Sequence, residues 1–180
     1  MKLKFFLAAV LVLAACDQPL DLTVTEKGVG PLTAETPNEP EAIAALLPGW
    51  DVTTTFAPIE GEDYSFIVAM RDTEIEIQIA AANREARSVS RITVFTPDIP
   101  DTNGVAVGES YSEIYTEDAT PDCLPGIEER SGNIFCPALA TGHIFYEFGG
   151  TWDGPDGIVP PADVIADWKV IAIHWRAGPV

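Results

Sequence analysis

A chain of 180 residues fits a single domain, and 47% hydrophobic residues can support a core, which excludes a disordered chain. Lys and Arg number 10 against 28 Asp and Glu, a formal charge of −18. That balance argues against sequence-independent nucleic-acid binding, which runs on cationic contacts to phosphate, and against docking on anionic lipid through a basic patch.

The N-terminal segment MKLKFFLAAVLVLAAC reads as an address. Lys2 and Lys4 make a positive start, Phe5 to Leu13 is uncharged and apolar, and Leu13-Ala14-Ala15 supplies the small residues that a signal peptidase accepts. The apolar run from Phe5 to Ala15 is too short for a spanning helix, which needs about 20 residues. Leu13-Ala14-Ala15-Cys16 resembles the bacterial lipobox. The resemblance implies removal of residues 1–15, diacylglyceryl attachment at the Cys16 sulfur and acylation of the new amino group. Several acyl chains together hold a protein on a membrane, whereas one alone binds marginally. The expected partner is therefore a membrane, reached through lipid on Cys16, with the rest of the chain facing the periplasm. Asp17 resembles the signal that keeps enteric lipoproteins in the inner membrane, and at this point both the inner and the outer membrane stay open.

Two cysteines remain, Cys123 and Cys136, an even pair in an oxidising compartment. The segment between them holds Pro125-Gly126 and Ser131-Gly132 turn signals, so a hairpin-like excursion closed by a structural disulfide is expected. Closing such a loop stabilises by about 3 kcal/mol. The Cys-x-x-Cys spacing of redox centres is absent, and two Cys with two distant His make a poor zinc set.

In chain order, residues 16–27 read as the lipidated Cys and a tether, leading into a first strand in which Leu22 and Val24 alternate with Thr23 and Thr25. Residues 28–180 read as one globular domain. Gly28-Val29-Gly30-Pro31 reads as a tight turn. Asn38 is the expected cap of a short helix containing Ile43, Leu46 and Leu47, stopped by Pro48-Gly49. Four strands are expected over 52–56, 64–70, 73–80 and 89–95. In the third, Ile75, Ile77 and Ile79 oppose Glu74, Glu76 and Gln78, the period-two pattern of a half-buried strand. A short strand is expected over 105–107 and a short helix over 108–115, with Tyr111, Ile114 and Tyr115 inward. A strand over 143–148 follows, then a helical turn over 163–167. A closing strand spans 168–175, with Val170, Ala172 and His174 on one face and Ile171, Ile173 and Trp175 on the other. The expected class is α+β: mainly one antiparallel sheet with one or two short helices and one disulfide loop.

Three pieces carry a family resemblance: Gly28-Val29-Gly30-Pro31-Leu32, Leu47-Pro48-Gly49-Trp50, and the Cys123…Ser131-Gly132…Cys136 loop, with Trp168…His174-Trp175-Arg176 closing the chain. Together they resemble the RpoE-regulated lipoprotein family, a domain of unknown function from bacterial envelopes. The resemblance implies a part in the response to envelope stress and brings no catalytic residues with it.

No sequence pattern names a reaction or a cofactor. Gly108-Glu109-Ser110-Tyr111-Ser112 lacks the second glycine of a serine-nucleophile elbow. His143 and His174 fall on expected strands beside aromatic residues and read as packed or edge residues. Asp153-Gly154-Pro155-Asp156-Gly157 offers oxygen ligands without the alternating acids of a calcium loop. The expectation is thus a non-enzymatic envelope lipoprotein with a binding or structural role, without metal or nucleic acid, its protein or envelope partner open. The alternatives are an envelope hydrolase with an unrecognised site and an accessory subunit of an assembly complex.

Overall fold

The structure, a computed structural model, describes residues 20–59, 62–116, 121–139 and 141–178. The signal segment and Cys16 lie outside the described residues.

Two antiparallel sheets form. The smaller joins β1 (Val24–Thr25), β2 (Gly28–Val29) and β3 (Leu32–Thr33) in that order. Helix α1 (Pro40–Leu46) follows. The larger sheet opens with a meander of β4 (Asp51–Ile59), β5 (Glu62–Arg71), β6 (Glu74–Ala81) and β7 (Val89–Val94). A long connection then carries α2 (Tyr111–Ile114). A second meander follows: β8 (Leu124–Pro125), β9 (Ile134–Pro137), β10 (Ile144–Gly149) and, after α3 (Ala162–Ile165), β11 (Lys169–Arg176). The sheet order is β4-β5-β6-β7-β11-β10-β9-β8, so the two meanders join where the last strand of each pairs with the other.

One face of this sheet is the main core. Ile77, Ile79, Ile92, Val94, Ile144, Tyr146, Ile173 and Trp175 are buried there with Ile43 and Leu47 of the α1 region. The small sheet packs on the same core through Val24, Val29 and Leu32, and the Trp175 indole donates to the Glu26 carbonyl at 3.0 Å. Leu22 and Val24 are thus core residues, and the domain starts ahead of residue 28 because their apolar side chains are needed in it. Gly28 and Val29 form a strand of a tight hairpin rather than the expected turn. Gly28 takes φ of 148°, and a Cβ there would stand 1.8 Å from the Leu32 carbonyl oxygen, so only glycine fits.

The antiparallel α+β class, the short helices and the Cys123–Cys136 disulfide agree with the sequence expectation. Four local features differ. Glu39, not Asn38, stands at the N-cap of α1, because Asn38 is drawn into backbone pairing with Arg87. Residues 105–107 form no strand: Asp101 folds them back by accepting from the backbone N–H of Asn103 and Val105. The β5–β6 turn centres on Asp72 and Thr73, with φ of 49° and 79°, a residue later than expected. Finally, the large sheet has register shifts at three places, one of them between Ala80 and Ala81, and the other two change the expected sides of side chains. One lies between Ala69 and Met70, opposite Ile75 and Ile77, and Ile75 is exposed. The other lies between Glu147 and Phe148, opposite Ala172 and Val170. It moves Val170 into the core beside Phe148 and turns Ile171 outward, reversing the expected sides of these two residues.

Candidate functional site

The opposite face of the large sheet carries a polar cluster. Cross-strand pairing aligns Gln78 (β6), Thr93 (β7), His174 (β11) and Phe145 (β10) in one row, all on the side away from the core. One step along β10 lies Glu147, on the same side. His174 Nε2 is 2.9 Å from Glu147 Oε2, and His174 Nδ1 is 3.1 Å from Thr93 Oγ1. Arg130 Nη1 donates to the same Glu147 oxygen at 2.5 Å, and Asn133 Nδ2 donates to Oε1 at 2.7 Å. Arg130 and Asn133 both come from the excursion between Cys123 and Cys136, Arg130 from a single 3-10 turn over Glu128–Arg130. The disulfide ties that excursion to β9, with the Cα atoms 4.2 Å apart. This is just below the usual lower limit of about 4.4 Å.

Burial sets the protonation states. Glu147 has no exposed surface and His174 is 8% exposed. For Glu147, burial pushes the carboxyl up, but hydrogen bonds from His174 and Arg130 and their charges outweigh it and hold it below the usual carboxylate range. For His174, burial disfavours the imidazolium, and the Arg130 and Arg176 charges act the same way. These outweigh the pull of Glu147, so its pKa lies below the usual imidazole value. At neutral pH the cluster is an ionised Glu147 paired with Arg130 and a neutral His174. The ring donates its Nε2–H to Glu147 and accepts the Thr93 hydroxyl proton at Nδ1.

Hydroxyl, imidazole and carboxylate in that order form the acyl-transfer relay of hydrolases. Here the hydroxyl that would act as nucleophile is buried. Thr93 is 3% exposed in the middle of a paired strand. Two clefts among the described residues open elsewhere. One, about 170 Å³, lies between Pro125, Asn133, Trp152 and Ile158. The other, about 220 Å³, lies between Tyr111, Cys123 and Ile165. Neither is lined by Thr93, His174 or Glu147.

The residues singled out from sequence are placed as follows. Ser110 joins neither histidine: it caps α2, its hydroxyl and amide both donating to Glu113 in a capping box. His143 lies at the start of β10, its Nδ1 2.9 Å from the Arg176 carbonyl oxygen. Asp153 and Asp156 are exposed, and no three ligating side chains gather among the described residues. No helix among them is long and apolar enough to cross a membrane. Thr93, Glu147, Arg130 and Asn133 were not singled out. The one signal was an acid set between Tyr146 and Phe148 in an apolar strand.

Known proteins place this architecture. The uncharacterized protein YfeY of Escherichia coli (strain K12) is 34% identical over 154 residues, 85% of this chain and 78% of its own length. The crystal structure of yfeY from Escherichia coli superposes with a TM-score of 0.71 at 32% identity. It covers 87% of this chain and 99% of the solved one. Residues 18–177 match the profile described as "Protein of unknown function (DUF1131)". The match spans both sheets, the disulfide excursion and the buried cluster, and the chain belongs to the DUF1131 family.

Proposed function

We propose that this protein is a lipid-anchored binding module of the bacterial envelope, held on a membrane through Cys16 and exposed to the periplasm, of the RpoE-regulated lipoprotein type. The observation that carries the reading is the Cys123–Cys136 disulfide. Such cross-links persist in oxidising compartments, and the Met1–Cys16 segment is an address to one of them. A binding role rather than a catalytic one is supported by the use made of the polar groups. Thr93, His174 and Glu147 are hydrogen-bonded in a chain, Arg130 neutralises the acid and Asn133 donates to it. Membrane fractionation of the wild type and Cys16→Ser tests the anchor. The wild type is expected in the membrane fraction and the variant in the soluble fraction or as uncleaved precursor. An unchanged distribution would refute it.

The order Thr93–His174–Glu147 favours one second reading, an envelope hydrolase with a threonine nucleophile. Ester or amide turnover lost in Thr93→Val with the fold intact would establish it. The binding reading expects no Thr93-dependent turnover.

A further inference from the structure

Beside the buried cluster lies an arrangement of charge that the cluster does not use. Arg91 on β7 and Arg176 on β11 are direct cross-strand partners, one row along from Thr93 and His174. Both are exposed. Like charges placed opposite each other on a sheet are destabilising. The cost is usually met by a nearby acid, and this chain is rich in acids: Arg71 alone holds two of them, Glu76 at 2.6 Å and Asp98 at 2.9 Å. Among the described residues no acid pairs with Arg91 or Arg176. The residue facing Arg91 from β6 is Ala80, and the Arg176 guanidinium lies over the Phe145 ring, 5.5 Å from its centroid. A third guanidinium, that of Arg130, is held by Glu147, and the Arg91 pKa is lowered by burial first and then by the charges of Arg176 and Arg130.

We propose that Arg91 and Arg176, with Arg130 at their side, form an oxyanion site for a phosphoryl group. Paired guanidinium forks match a phosphate in geometry and charge, and the bound anion would relieve the repulsion between them. The chain carries 28 acids against 10 Lys and Arg, so a small phosphorylated molecule can approach the two arginines more readily than an extended anionic surface, which meets the net negative charge. The proposal deepens the binding reading by naming its ligand chemistry. It uses neither Cys16 nor any residue of the Met1–Cys16 segment.

The test uses the untagged chain, which has two histidines, and follows their ring Cε1–H resonances by NMR while inorganic phosphate is added. Saturable movement of the His174 resonance is expected, with at least a tenfold weaker titration in Arg91→Gln and in Arg176→Gln. Parallel arms use vesicles of phosphatidylglycerol and of phosphatidylcholine. Arg91-dependent binding to the former alone would give the phosphoryl group a lipid source. Because Arg91 is exposed and repelled by its neighbour, Arg91→Gln should fold with unchanged or higher Tm. Phosphate and vesicles both failing to bind would overturn the proposal, as would binding that Arg91→Gln leaves intact. A Cys16→Ser chain that binds phosphate but leaves the membrane fraction would support site and anchor independently.

Discussion

A carboxylate with no exposed surface must satisfy both oxygens internally, and Glu147 does so with three donors from Arg130, Asn133 and His174. Removing it would strand the neutral ring and the Asn133 amide and release Arg130. Loss of a buried ionic partner costs about 3–5 kcal/mol. Arg130 is 41% exposed at its side chain and can turn to water, which places Glu147→Ala at the lower end, about 3 kcal/mol. Chemical denaturation checks this, and a loss below about 1 kcal/mol would show that the cluster is not structural. The pH response follows from the same burial. His174 holds its proton less tightly folded than unfolded, so the unfolded state takes up the proton first. Its stabilising contribution is therefore complete above the ordinary imidazole value of about 6.5 and declines as pH falls below it. Glu147, also lowered, adds a second loss in the carboxylate range. Tm is expected to drop between pH 7 and pH 5, and His174→Gln should flatten that drop while lowering Tm at pH 7.5. An equally steep drop in the variant would assign it to other groups. None of these partnerships shows in the sequence, because Thr93, Arg130, Asn133, Glu147 and His174 are separated by up to 81 positions and meet only through strand order.

Single elements were legible where period and turn chemistry agree. The alternation Ile144–Tyr146 against Phe145–Glu147 gave β10, and Tyr111 with Tyr115 gave the buried side of α2, where the two rings pack 4.9 Å apart. The alternation failed at two of the three register shifts, since an extra residue reverses the sides without leaving a composition signal. The hairpin of β2 and β3 was hidden for another reason: its strands are two residues long, below any usable period. Gly28 now stands out as its determinant. Gly28→Ala should cost about 2 kcal/mol or more, because the added Cβ meets a backbone carbonyl that cannot turn away. Thermal unfolding with Gly104→Ala as comparison separates crowding from backbone strain, since Gly104 also has positive φ but open space around it. Equal losses in the two variants would remove the steric argument. The Cys123–Cys136 excursion is the element that presents Arg130 and Asn133 to Glu147. Replacing both cysteines by Ser should lower stability by about 2–4 kcal/mol. It should also loosen the hold on Glu147, read as broadened His174 resonances. Unchanged resonances would mean that the sheet alone positions the cluster.

The whole molecule combines a strongly negative net charge with an antiparallel sheet buried on its core side under a small second sheet, and Arg91 and Arg176 paired on the other face. The antiparallel class was legible because strands and turns alternate at short intervals through the chain. The sheet order was not, since the pairing of β7 with β11 joins residues some 80 positions apart. The membership of a family with a solved structure fixes the architecture, while the proposed envelope location rests on the Met1–Cys16 segment alone. The central claim is therefore tested most directly by the intact mass of the protein extracted from membranes of the native host. The account predicts a chain beginning at Cys16 and carrying acyl mass. A chain beginning at any other residue, or one at Cys16 without lipid, would contradict it.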